Sequence, residues 1–189
     1  MPLSHITKVF AIKMMKIYKV TADVTGSATT YASGIQLVGA RELIVTETWK
    51  EAYLRGDNTL LDYESMRETV KATIRHGKLN FDAVAVITGS TVVDSGVTPN
   101  QKTTNTYATA DVPAFFKIDA QCVAVDGMPA STGDYHVIMG KAKIGGSRAF
   151  GLKEEDFEEF QFDVVAVPPL GTGSVWYSET LEETAAAPA

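Results

Sequence analysis

The sequence has one cysteine, Cys122, among its 189 residues. A single thiol excludes an internal disulfide framework and a multi-cysteine zinc site, so we expect Cys122 to be a small buried residue in a reducing compartment. Long hydrophobic runs are also missing, since the longest are stretches such as AVAVI and VVAV, whereas a membrane-spanning helix needs roughly 18 apolar residues. Lysines interrupt the N-terminal segment, which therefore lacks the apolar core of a signal peptide. These absences predict a soluble protein without a membrane anchor.

Basic residues are fewer than acidic residues. The chain has 17 Lys and Arg residues against 23 Asp and Glu residues, which gives a net charge of -6. Proteins that bind nucleic acid tightly need the opposite balance, because Lys and Arg hold the phosphates. The composition therefore argues against tight nucleic-acid binding.

A hydrophobic content of 45% at this length is typical of one globular domain with its own core. We assign residues 1–170 to a single β domain. The stretches GTGS and ETLEETAAAPA follow Pro169, so residues 171–189 are predicted to be a flexible C-terminal tail.

Alternation of apolar and polar residues is the main structural signal. Between residues 66 and 76 most even positions are apolar and the odd positions are polar, which predicts a half-buried strand. A second alternating segment precedes it, and the residues between them, Arg55-Gly56-Asp57-Asn58, are those that tight turns need. Residues 41–77 therefore predict one long hairpin. The Arg-Gly-Asp tripeptide is interpreted as turn chemistry and not as an integrin ligand.

Other segments follow the same period of two. They predict strands over residues 116–124, 135–145 and 160–167. In residues 9–20 the spacing of the lysines also fits a helix, but the Val, Ile and Tyr residues favour the strand that we predict there. Together with the hairpin, they predict a mostly β protein with an antiparallel sandwich or barrel-like architecture.

One short helix is predicted at residues 79–87, where Asn80 can cap the N-terminus and Gly89 follows the end. Residues 90–113 are rich in Thr, Asn, Ser and Gly and have no periodicity. They predict a long loop that is either functional or mobile.

Catalytic and metal-binding motifs are missing. His5, His76 and His136 are far apart and fit no metal-ligand spacing, so a structural role is predicted for each. The glycines of 145–151 do not follow a phosphate-binding pattern. The acidic run at 154–160 lacks the alternating ligands and central glycine of a calcium loop. We therefore expect no enzymatic activity, cofactor or bound metal ion.

Aromatic residues are dispersed along the chain. Trp49 is in phase with Leu43 and Val45, which predicts that it packs in the core. A sugar-stacking surface built from the scattered aromatic residues is an alternative with less support; its candidate members are Trp49, Trp176, Tyr31 and Tyr107.

Several segments, in this order and spacing, resemble one known family. From about Phe10 to Pro169, the sequence resembles the major tail tube proteins of long, non-contractile-tailed bacteriophages. The segments that carry the resemblance are AIKMMKIYKVTAD, AYLRGDNTLLDYES, HGKLNFDAVAVITG, SGVTPNQ, FFKIDAQ, DYHVIMGKAKIGG and FGLKEEDFEEFQFDVVAVP.

This resemblance implies a β-sandwich or barrel-like subunit whose hexameric rings stack into a tail tube. It also implies a location in the virion tail after synthesis in the host cytoplasm. The implied partners are further copies of the chain, a tape measure protein, a tail terminator and distal tail proteins. DNA would pass through without tight binding. The alternative from another class is a monomeric β-sandwich binding module, either carbohydrate-binding or a virion decoration domain.

The hairpin tip is the first candidate site. Arms of about 10 residues would reach roughly 33 Å, which is hard to cover within one small domain. The tip combines charges of both signs with leucines, a composition suited to a contact between rings. The candidate residues are Leu54, Arg55, Gly56, Asp57, Asn58 and Leu60.

An acidic channel wall is the second candidate site, because a basic wall would hold each phosphate of a passing DNA. The candidate residues for this wall are Asp119, Asp163, Glu154, Glu155, Asp156, Glu158 and Glu159. Arg67, Lys71 and Arg75 are predicted to share the polar face of one strand. We expect them to meet acidic neighbours or to face away from the channel.

Overall fold

The computed structural model describes residues 9–56, 59–124, 133–151, 159–171, 174–182 and 187–188. Strands dominate these residues, and the one helix among them is α1 (Phe81–Thr88). The strands are β1 (Val9–Ala22), β2 (Thr30–Tyr31), β3 (Ile35–Gln36), β4 (Ala40–Gly56), β5 (Thr59–His76), β6 (Thr91–Ser95), β7 (Lys102–Thr106), β8 (Phe116–Ala124), β9 (Asp134–Ala149), β10 (Phe160–Ala166) and β11 (Ser178–Glu182). The predicted mostly β, antiparallel fold with one short helix is confirmed.

Within this part of the chain, nine strands form one sheet in the order β2-β1-β8-β9-β10-β5-β4, with β3 added to β1 and β11 added to β9. Strands β6 and β7 form a separate two-stranded ribbon. All of the pairings are antiparallel. Strand β4 is the last strand at its end of the sheet, so its outer edge pairs with no described strand.

The alternation in sequence places one side of the sheet in the core. On β10, Phe160, Phe162, Val164 and Ala166 are buried while the residues between them are partly exposed. The same face continues on the neighbouring strands, and the contacts between β1 and β4 indicate that the sheet curls around it. Residues that are buried in this core include Met15, Ile17, Val70, Ala72, Ile74, Phe116, Ile118, Ala120, Met139 and Ala142.

Helix α1 covers one part of this face, and both of its ends follow from the sequence. The Asn80 side chain accepts hydrogen bonds from the amides of Asp82 and Ala83, which satisfies two of the unpaired N–H groups of the first turn. Gly89 ends the helix at a φ of 80°, a left-handed conformation that glycine adopts with little strain. The helix then buries Val84 and Ile87 against the sheet.

Two predictions of secondary structure are wrong. Residues 90–113 are not a continuous loop, because β6 and β7 pair from Thr91 with Thr106 to Ser95 with Lys102. Residues 171–189 are not all a flexible tail, because Ser178–Glu182 form β11 along one edge of β9. Trp176 and Tyr177 pack against the core just before β11, which anchors this segment to the body.

Candidate self-association surface

The long hairpin leaves the sheet part of the way along its length. Strand β5 pairs with β10 only between Lys71 and His76. Beyond these residues, β4 and β5 pair only with each other among the described strands. We call residues 50–56 and 59–66 the outer hairpin, whose first arm extends about 23 Å at normal strand rise. Two strands alone are marginally stable in water.

The outer hairpin exposes large apolar side chains. The described side chains of residues 50–55 and 61–66 are all exposed. The exposed fractions of the large apolar ones are 54% for Tyr53, 59% for Leu54, 63% for Leu61, 47% for Tyr63 and 65% for Met66. A concentration of this kind on a projecting element is typical of a protein–protein contact.

Tyr53 and Tyr63 form a preformed aromatic pair on one face of this hairpin. They are opposite each other in the register, with ring centroids 5.2 Å apart. Both hydroxyls donate to the Glu51 carboxylate, the Tyr63 hydroxyl at 3.1 Å. The bond to Glu51 raises the pKa of Tyr53. Because the rings are already held in place, docking would order few additional side chains.

A β-bulge turns Arg67 to the other face of the hairpin. Thr48 is opposite Thr69 and Trp49 is opposite Arg67, so Glu68 has no counterpart on β4. One extra residue reverses the alternation of side chains beyond it. The prediction that Arg67, Lys71 and Arg75 share one face is therefore wrong for Arg67.

These basic residues meet acidic neighbours at two positions. Arg67 forms an ion pair with Glu47 at 3.1 Å, and Arg75 forms one with Glu42 at 3.0 Å. Lys71 is exposed on the sheet between them.

Polar and aromatic side chains meet at the base of the outer hairpin. The Arg67 guanidinium lies over the Trp49 ring at 5.0 Å and over the Tyr177 ring at 5.8 Å. A hydrogen bond from Tyr177 makes the largest contribution to lowering the pKa of Glu47, and the charge of Arg67 lowers it further. Trp49 itself is 49% exposed, so the prediction that it packs in the core is wrong. The core ends nearer the start of β4, at Val45.

The structure describes only part of the predicted tip. Leu54 and Arg55 are exposed. In the backbone register, Arg55 is opposite Leu60 and Gly56 is opposite Thr59. Asp57 and Asn58 lie outside the described residues.

The predicted acidic wall is not assembled as one group of described residues. Asp119 is 2% exposed, and its Oδ1 lies 2.9 Å from Nδ1 of His136, so its carboxylate is not on the surface of the subunit. Asp163, on another strand, accepts a hydrogen bond from Thr73 at 2.9 Å. Hydrogen bonds from Ser147 and Thr73 lower its pKa.

Glu159 is exposed and pairs with Arg41. The remaining acidic candidates, Glu154, Glu155, Asp156 and Glu158, lie outside the described residues.

His76 is packed against aromatic residues of the core. His76 stacks on Phe160 and Phe162, with centroid distances of 5.3 and 5.5 Å, and its Nδ1 contacts the Lys78 carbonyl at 2.8 Å. Burial lowers the pKa of His76. His5 lies outside the described residues. In the part of the chain that the structure describes, no three His, Cys, Asp or Glu side chains are grouped so as to hold a metal ion.

Sequence reasoning missed the Tyr53–Tyr63 pair and the cluster around Glu47. The pair is visible in the sequence only if the register of a 17-residue strand is known, and the bulges in β4–β5 change that register. Tyr177 comes from a segment predicted to be flexible.

Neither a scan against protein-family models nor a search of curated proteins finds a match for this chain. No helix among the described residues is long and apolar enough to cross a membrane.

Proposed function

We propose that the protein is a structural subunit that assembles with copies of itself into hexameric rings, which stack into a bacteriophage tail tube. The observation that carries this proposal is the outer hairpin, which exposes Tyr53, Leu54, Leu61, Tyr63 and Met66 and has no third strand beside it among the described residues. Covering these side chains with a second copy would bury apolar surface that the single subunit leaves in water.

The outer edge of β4 supports the same proposal. This strand has 17 residues, about three times the usual length, and ends the sheet. Unpaired backbone groups along such an edge are a template for another strand. If the edge of one subunit meets a different surface of the next, the contact repeats head to tail and produces closed rings or open filaments.

The further details of the proposal come from the sequence resemblance. It supplies the sixfold symmetry, the virion tail as location, and a tape measure protein, a tail terminator and distal tail proteins as partners. DNA would pass through the tube without tight binding. The subunit's role is then structural and not enzymatic.

Within this assembly, the hairpin tip contacts the adjacent ring. Its candidate residues remain Leu54, Arg55, Gly56, Asp57, Asn58 and Leu60. The acidic wall of the channel is retained as a proposal for Asp163, Glu159 and the acidic residues just before Glu159. Asp119 is omitted from it because its carboxylate is buried.

Replacing residues 55–58 by a neutral, Gly-rich turn tests the tip directly. We expect circular dichroism and melting to be unchanged while electron microscopy of concentrated protein no longer detects stacked rings or tubes. The matched control replaces residues 96–101, the turn between β6 and β7, in the same way and should leave assembly intact. Tubes that grow at the wild-type rate after the first replacement would overturn the role of the tip. Wild-type monomers at every concentration, with the tail partners present, would overturn the tube itself.

A second candidate function is a monomeric module that binds carbohydrate. It is favoured by the exposed rings of Trp49, Tyr53 and Tyr63, because such rings can stack on sugars. Sedimentation separates the two candidates: a binding module stays monomeric at high concentration and binds glycans through these rings. Alanine substitution of Tyr53 would then abolish glycan binding without changing the oligomeric state.

A further inference from the structure

The residue that precedes the C-terminal strand, Tyr177, lies at the base of the outer hairpin, where the Arg67 guanidinium is over its ring. Strand β11 pairs with β9 from Ser178, opposite Ile138, to Glu182, opposite Asp134. Tyr177, immediately before this strand, packs against the core. The segment of residues 176–182 is therefore attached to β9 through β11, and it reaches Arg67 of β5 through the ring of Tyr177.

Tyrosine–carboxylate hydrogen bonds connect the segment to both neighbours. The Tyr177 hydroxyl donates to Glu47 on β4, and the ring of Tyr177 also lies under the Arg67 guanidinium of β5. On the other side, the Tyr135 hydroxyl of β9 donates to Glu179 of β11. Bonds to an ionised acceptor are stronger than neutral ones. The bond between them raises the pKa of Tyr177 and lowers the pKa of Glu47.

Contacts at Glu47 and Arg67 lie where they can fix the direction in which the outer hairpin projects. Strand β10 supports β5 only as far as Lys71, and the bulge at Glu68 comes just beyond that point. A bulge bends and twists its strand. The direction of the outer hairpin therefore depends on what holds the residues next to the bulge, and Tyr177 holds both Glu47 and Arg67.

We propose that residues 176–182 are a brace that fixes the direction of the outer hairpin, so that the hairpin is presented to a second copy only when β11 is in place. The brace is a property of the single subunit. Its effect on assembly rests on the proposed function.

Substitution Tyr177→Phe tests the brace, because it removes the hydroxyl and keeps the ring. In dilute, monomeric protein, we expect the amides of β11 and those on both sides of the bulge, residues 46–50 and 66–70, to exchange roughly tenfold faster. The matched control is Tyr31→Phe, which removes a hydroxyl that donates to the Gly140 carbonyl at 2.9 Å at another place in the sheet. This control should leave exchange in the hairpin unchanged.

Assembly is then measured separately by sedimentation and electron microscopy. We expect Tyr177→Phe to assemble at least tenfold more slowly than the Tyr31→Phe control. Unchanged exchange next to the bulge, with or without loosening of β11, would overturn the brace. Faster exchange there with unchanged assembly would establish the brace and overturn its link to assembly. A wild-type protein that never assembles would overturn the proposed function and leave the exchange result as the test of the brace.

Discussion

The inner parts of β4 and β5 lie in the sheet, whereas their outer parts project from it. We expect the inner parts to determine the stability of the subunit and the outer parts to determine its assembly. In the inner part of β5, Val70, Ala72, Ile74 and His76 are buried on one face. In the outer hairpin, large apolar residues are exposed on both faces, with Tyr53 and Tyr63 on one and Leu54 and Met66 on the other. A one-sided pattern is what a core requires. Apolar residues on both faces of a projecting ribbon are what we expect if both faces contact other molecules.

The largest effect on stability is expected in the inner part. Phe162 is fully buried, and its ring stacks at 5.5 Å on His76 of β5. Phe162→Ala should lower the free energy of unfolding by about 3–5 kcal/mol, because it removes buried area and leaves a cavity. Chemical denaturation measures the loss. The control Leu61→Ala, in the outer hairpin, should change stability by less than about 1 kcal/mol, and equal losses would contradict the division between the two parts.

The second largest effect is expected at a cluster that joins three segments of the body. Asp23 forms an ion pair with Lys141 at 2.6 Å and accepts hydrogen bonds from Thr29 and from the amides of Leu170 and Gly171. The hydrogen bond from Lys141 makes the largest contribution to lowering the pKa of Asp23. The ionised form of Asp23 therefore stabilises the folded state.

Asp23→Asn should accordingly lower the melting temperature most at neutral pH. A carboxyl group with a lowered pKa contributes stability above its unfolded value, near 3.8, and loses that contribution as the pH falls through its folded value. The difference between wild type and variant should therefore shrink below pH 3.8. Melting curves from neutral to acidic pH measure this, with Asp62→Asn in the outer hairpin as the charge-matched control. A difference that is independent of pH would contradict the role of the ionised carboxylate.

A smaller effect is expected at the start of α1. Asn80→Ala removes the acceptor of the Asp82 and Ala83 amides and also a bond to the Gln36 carbonyl at 3.1 Å. The expected loss is about 1 kcal/mol. Asn80→Ser, which keeps a capping oxygen, should recover most of it in the same denaturation measurement. If the serine variant is as unstable as the alanine variant, the bond to Gln36 matters more than the cap.

Much of the body could be predicted from the sequence because local signals decide it. Alternation predicted the buried face of β5 and the position of β10, and Asn80 and Gly89 predicted the limits of α1 to within two residues. Strands β6 and β7 were missed because Thr-rich segments have no apolar period to detect. Strand β11 was missed because its pairing with β9 is nonlocal and its sequence is polar.

The surface residues were harder to predict. A charged residue at an alternating position normally faces water, but Asp119 is 2% exposed beside His136. This is possible because the second face of β8 is also covered, with Gln121 buried there too. Arg67 lies on the opposite face from the one predicted because of a single extra residue, Glu68. The sequence has no distinct signal for this bulge.

A similarly small effect on stability, but the largest effect on assembly, should come from the aromatic pair. Tyr53 and Tyr63 are about half exposed, so replacing both by alanine removes a cross-strand ring contact worth about 1 kcal/mol and little buried area. The same change removes two rings from the surface proposed to contact a second copy, where aromatic residues supply much of the binding energy. Tyr107→Ala is the matched control, because Tyr107 is 50% exposed and lies under Arg148 on the body. Sedimentation should detect loss of self-association only in the hairpin variant, although both variants melt within a few degrees of wild type. If the Tyr107 variant also fails to assemble, or if the hairpin variant assembles normally, the outer hairpin is not the part of β4 and β5 that determines assembly.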